Sequence, residues 1–116
     1  MFNIGREFRN RYIDDPNTSV LPDLYDPFSM SVDTLSVNTT LQSASSFLLG
    51  LYPLGKGPSL REDYNQSLSN PPYNITAKLS WGPTAATPFY FQIIPTHSTD
   101  LATSNLMQPT SACEPL

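Results

Sequence analysis

The sequence has little cysteine, little charge and no long hydrophobic run. Its 116 residues include one cysteine and one histidine, and only 14% are charged. One Cys and one His cannot supply the ligand set of a zinc site, and no cofactor is predicted. The net charge of −4 and the scattered cations argue against nucleic acid as a partner. Because the apolar runs are only a few residues long, no membrane span is predicted.

Proline, serine and threonine stand where other proteins have charged and apolar residues. The chain contains 12 prolines and 25 serines plus threonines, a composition that favours long loops. A chain of this length forms one small domain at most. Residues 1–116 are therefore interpreted as a single segment, with no internal repeat and no linker.

Four sequons favour a secretory history. Asn17, Asn38, Asn65 and Asn74 each begin an N-x-S/T triplet, more than the composition alone predicts. An extracellular or lysosome-like compartment is expected, although a Ser/Thr-rich composition would also produce sequons. No signal peptide is visible, so a secretory history would imply that the chain is missing its own beginning. The odd Cys113 predicts a disulfide partner outside this chain, or a free thiol in a frayed tail.

Residues 2–13 have the periodicity of an amphipathic helix. Ile4, Phe8 and Tyr12 recur one turn apart. Glu7 precedes Arg11 by four residues, the spacing of a stabilising ion pair. One polar face of this helix is interpreted as solvated, and it carries Arg6, Arg9 and Arg11.

A strand that feeds a second helix is predicted next. Apolar and polar residues alternate over 28–32, as in a half-buried strand. Ser36 or Asn38 is predicted to cap a helix whose apolar positions are Leu41, Ala44, Leu48 and Leu51. A helix that starts after a strand can hold an anion, yet residues 33–53 contain no Arg, Lys or His.

The rest of the chain gives weaker signals. Residues 54–58 read as a turn and not as a phosphate-binding loop. Alternation over 75–81 predicts a short strand, and the apolar run between Pro88 and Pro95 predicts a second buried strand. The acidic pairs Asp14-Asp15 and Glu62-Asp63 are interpreted as solvated turn residues.

The order of these motifs resembles the histidine acid phosphatase family. The resemblance covers nearly all of the chain, with anchors at 5–12, 37–53 and 93–97. It implies an α/β fold with two helices packed on a small, mostly parallel sheet and long Pro/Ser/Thr-rich loops, forming the middle portion of a histidine-phosphatase-like domain. The motifs are Phe8-Arg-Asn-Arg-Tyr, Val37-Asn-Thr-Thr-Leu-Gln-Ser-Ala, Phe47-Leu-Leu-Gly-Leu-Tyr-Pro, Ile94-Pro-Thr-His and the Cys113-Glu-Pro tail.

The resemblance also implies that the phosphate site is lost. The two phosphate-binding Arg positions of the family fall on Asp33 and Thr39. The R-H-G-x-R-x-P motif with the nucleophilic His and the H-D or H-E dipeptide with the proton donor are both missing from this sequence. His97 falls on a position that is structural in the family, so its expected role is to close a strand. No catalytic residue is predicted.

Three functions remain open. The first is a non-catalytic, histidine acid phosphatase-like subunit with a structural or interaction role, which would need a protein partner. The second is a fragment of a longer secreted acid phosphatase, completed by the remainder of its own chain. The third is a small secreted binding domain unrelated to phosphatases.

Overall fold

The computed structural model describes residues 1–61, 63, 85–100 and 102. This part of the chain has an α/β arrangement of two helices and two short parallel strands. Neither of these helices is long and apolar enough to cross a membrane. The predicted strand at 75–81 lies outside the described residues. The elements are helix α1 (Phe2–Arg9), a π-helical turn (Asn10–Asp14), strand β1 (Asp33–Leu35), helix α2 (Asn38–Leu51), a 3-10 turn (Pro88–Tyr90) and strand β2 (His97–Thr99).

Helices α1 and α2 cross with their backbones in contact, and each contributes a glycine to the crossing. A Cβ atom on Gly5 would overlap the carbonyl oxygen of Phe47 and would lie 3.1 Å from the Cα atom of Gly50. A Cβ atom on Gly50 would overlap the carbonyl oxygen of Phe2. Any larger residue at either position would hold the helices apart, so this close approach requires glycine at both.

The buried face of α1 differs from its predicted apolar stripe. Gly5, Arg9 and, in the π-helical turn, Ile13 are buried. The interpretation of Arg9 as a solvated residue is wrong, because Gly5 one turn earlier brings α2 onto this face. The predicted ion pair is confirmed, with 2.9 Å between Arg11 Nε and Glu7 Oε1. The apolar stripe keeps 50%, 43% and 38% of its surface accessible at Ile4, Phe8 and Tyr12.

Helix α2 begins at Asn38 without a side-chain cap. The N-cap residue is Val37, which is extended (φ −123°, ψ 135°). Its carbonyl oxygen accepts a hydrogen bond from the Leu41 N–H at 2.9 Å. The prediction that Ser36 or Asn38 caps the helix is wrong, because the chain leaves β1 in an extended conformation that continues through Val37.

Strands β1 and β2 run parallel, as expected for this fold class. The pairing is extended at both ends by hydrogen bonds from the His97 N–H to the Val32 carbonyl oxygen (2.8 Å) and from the Ser36 N–H to the Thr99 carbonyl oxygen (2.9 Å). The parallel pairing therefore continues for one residue beyond each end of β1. The register pairs the Cα atoms of Asp33 with His97, Thr34 with Ser98 and Leu35 with Thr99.

The first strand lies later in the chain than the alternation predicts. Residues 28–32 form no strand, so that prediction is wrong. A turn occupies this position because the Asp26 carboxylate accepts a hydrogen bond from the Phe28 N–H at 3.1 Å, and the Asp26 carbonyl oxygen accepts one from the Ser29 N–H. Phe28 is 97% exposed, which shows that alternation here does not mark a buried face.

The second strand is also displaced from its prediction. Residues 88–95 form no strand, because Phe89 and Tyr90 adopt φ angles of 54° and 53°. These values lie in the left-handed region, which is incompatible with an extended strand. The apolar run is therefore broken by a tight turn, and β2 begins only after Pro95.

The core lies between the two helices and the loop of residues 15–32. The Tyr25 and Tyr52 rings meet edge to face with centroids 5.9 Å apart, and the Phe8 and Phe47 rings do so at 5.3 Å. A core of this size gives a small margin of stability. Its buried members are Ile13, Leu51 and Tyr52, surrounded by partly buried Leu21, Tyr25, Met30, Phe47 and Ile94.

We expect Gly5→Ala and Gly50→Ala each to lower the free energy of unfolding by about 2–3 kcal/mol, because the added methyl group overpacks a backbone contact. This cost exceeds the gain of about 1 kcal/mol in helix propensity. Urea denaturation measures the change. Ser45→Ala, at an exposed position of α2, is the control and should shift stability by less than about 0.5 kcal/mol. A Gly50→Ala variant as stable as the control would contradict the close crossing.

Candidate functional site

Asp33 stands at the start of β1, in the region that the resemblance assigns to phosphate binding. The residue is exposed, and its Oδ2 atom accepts a hydrogen bond from the Ser31 hydroxyl at 3.4 Å. Asp is an anion and lacks the planar fork with which Arg binds phosphate in a bidentate manner. At a distance of a few ångströms it would repel a phosphate group. This position cannot replace a phosphate-binding arginine.

Thr39 lies in the first turn of α2 and is exposed. It lines a shallow cavity of about 320 Å³ between the start of α1 and the first turns of α2. Asp33 does not line this cavity, so the structure does not bring the two sequence-predicted positions into one pocket. The lining residues are Met1, Thr39, Gln42, Ser43 and Ser46.

The structure places His97 beside Asp33, a proximity that the sequence analysis missed. The two residues are Cα partners in the parallel register, so their side chains project from the same face of the sheet. His97 opens β2 instead of closing a strand, which corrects the prediction. The strand predictions were displaced from β1 and β2, so no sequence signal paired these two residues.

The Asp33 and His97 pair does not form a catalytic or metal site among the described residues. Both residues are exposed, and no ion pair within 4.0 Å joins them in this part of the chain. No group of three or more His, Cys, Asp or Glu side chains that could hold a metal occurs among the described residues. An imidazole and a carboxylate can move a proton, but phosphoryl transfer also needs clustered cations for the transferred group.

Two of the four sequons lie on the surface of the described structure. Asn17 and Asn38 are both exposed. The backbone N–H of Asn17 donates to the Asp15 carboxylate at 2.9 Å, and the Thr18 hydroxyl donates to the Arg11 carbonyl oxygen. An attached glycan is sterically feasible at both positions. The other predicted modification sites, Asn65, Asn74 and Cys113, lie outside the described residues.

Arg9 is a buried cation between the two helices, with 5% of its surface accessible. Its Nη1 donates to the carbonyl oxygen of Leu51 at 3.0 Å, at the C-terminus of α2. Its Nη2 donates to the Asp23 carboxylate and lies 3.4 Å from Asp14 Oδ1. The guanidinium also lies 5.9 Å from the centroid of the Tyr52 ring. A cation at a helix C-terminus is stabilised by the helix dipole.

Asp23 connects Arg9 to Lys56, which lies in the turn that follows α2. Lys56 Nζ lies 3.0 Å from each carboxylate oxygen of Asp23. The turn that carries Lys56 is confirmed, since the Lys56 N–H donates to the Pro53 carbonyl oxygen at 3.2 Å. The Lys56 hydrogen bonds lower the pKa of Asp23 below its ordinary value of 3.8, and Arg9 adds to the effect. Burial raises the pKa of Tyr52, whose hydroxyl donates to the Pro22 carbonyl oxygen at 3.2 Å.

An apolar groove of about 380 Å³ opens between α1, α2 and the loop of residues 15–32. Its volume lies in the range of natural binding pockets. Sequence analysis missed it, because the loop residues that form its wall have no periodicity. The groove is lined by Phe8, Tyr12, Val20, Leu21, Met30, Phe47 and Leu51.

The comparisons with known proteins identify no relative. No protein-family model matches the chain, and no curated protein matches it. The resemblance to histidine acid phosphatases therefore rests on the order of the motifs in the sequence.

We expect the network around Asp23 to lose its stabilising effect in acid. Because the folded-state pKa of Asp23 is lowered, its contribution is fully present above its unfolded pKa, about 4, and is lost as the pH falls through the lowered folded value. Urea denaturation between about pH 6 and pH 2 measures the slope.

Asp23→Asn should flatten this acid dependence while lowering stability at pH 6. Asp33→Asn is the matched control, since Asp33 accepts from a neutral hydroxyl. Equal slopes for wild type and Asp23→Asn would show that the ion pairs of Asp23 do not hold the fold together.

Proposed function

We propose that this chain is a non-catalytic, histidine acid phosphatase-like protein that acts as a structural or interaction subunit in the secretory pathway. The exposed pair of parallel strands, β1 and β2, is the main support for an interaction role. All three residues of β2 are exposed, and in the described part of the chain only β1 pairs with it. Parallel strands are normally buried on both faces and continue into larger sheets. A partner surface that covers β2 would complete this arrangement.

Among the residues that the structure describes, no strand pairs with the second edge of β2. His97 and Thr99 direct their hydrogen bonds toward β1, through the Val32 carbonyl oxygen and the Ser36 N–H. Because backbone groups alternate along a strand, the N–H and C=O groups of Ser98 point to the opposite edge. An open edge of this kind accepts an added strand from a partner.

A non-catalytic role is supported by the loss of the residues that the family uses for phosphoryl transfer. A phosphohistidine mechanism needs a nucleophile, clustered cations and a proton donor. The two positions that the resemblance assigns to cations are Asp33 and Thr39, and no Lys, Arg or His occurs between Arg11 and Lys56. Asp33 lies on the sheet surface, where a cation would be needed to attract phosphate.

The open sheet also favours a second function. In a longer secreted acid phosphatase the remainder of the same chain, in place of a separate partner, would cover β2. The exposure of Asn17 and Asn38 agrees with secretion in both cases. Asp33 and Thr39 argue against phosphate binding even in the longer form.

We expect no hydrolysis of p-nitrophenyl phosphate above the buffer rate and no binding of inorganic phosphate, because the sequence lacks the R-H-G-x-R-x-P motif and carries Asp33 and Thr39 at the two positions that the resemblance assigns to Arg. Colorimetric assay and isothermal titration measure the two properties between pH 4 and pH 7. Asp33→Arg and the Asp33→Arg/Thr39→Arg variant should remain inactive.

His97→Ala is the matched control, since His97 is the lone histidine of the sequence. Hydrolysis that scales with protein concentration and disappears in His97→Ala would contradict a non-catalytic function.

A further inference from the structure

We draw no further inference here: the strongest candidate, the apolar groove between α1, α2 and the loop of residues 15–32, is an unpartnered face, and nothing in the described part of the structure shows what covers it.

Discussion

The backbone contact between Gly5 and Gly50 is the constraint on which the rest of the structure depends. Because neither helix carries a side chain at the crossing, α1 and α2 approach until a Cβ atom at either position would overlap the other helix. This approach places Arg9, one turn after Gly5, within 3.0 Å of the Leu51 carbonyl oxygen at the end of α2. A wider crossing would leave that buried guanidinium without its backbone acceptor, at considerable cost.

The ion pairs of Arg9 fix the positions of the loops relative to the helix crossing. Asp23 is held by Arg9 and by Lys56, so the loop after α1 and the turn after α2 are tied to the same point. The loop then presents Val20 and Leu21 as one wall of the apolar groove. The charged network is thus structural, and within the described residues the groove and the outer edge of β2 are open. These open surfaces support the proposed interaction function.

Periodicity over many residues predicted the helices, whereas the short strands escaped prediction. Helix α2 spans 14 residues, enough turns for its apolar positions to recur, and the ion pair of α1 follows from spacing alone. Each strand has only three residues, too few for alternation to distinguish it from neighbouring loops. The sequence around Phe28 and the run after Pro88 predicted strands because apolar residues in turns can have the same alternation or clustering as those in a strand.

Features of the candidate site could be predicted from the sequence only where they depend on the chemistry of one residue or on local spacing. That Asp33 cannot act as a phosphate-binding arginine follows from its chemistry. The burial of Arg9 could be suspected from Gly5 four residues earlier, since small residues mark a close helix contact. The proximity of Asp33 and His97 required the register of two distant strands, and the groove required the fold of a loop without periodicity.

The native mass of the protein purified from its source tests the central claim most directly. For a chain of 12.9 kDa, a non-catalytic subunit predicts a native complex that contains this chain, with any attached sugars, and a separate protein. Ser98→Pro, which removes the N–H at the outer edge of β2, should release the partner, while Ser98→Ala should retain it. A glycosidase-treated mass equal to this chain alone, in wild type and both variants, would contradict the interaction function. A longer covalent chain that hydrolyses phosphomonoesters would contradict it in favour of an acid phosphatase.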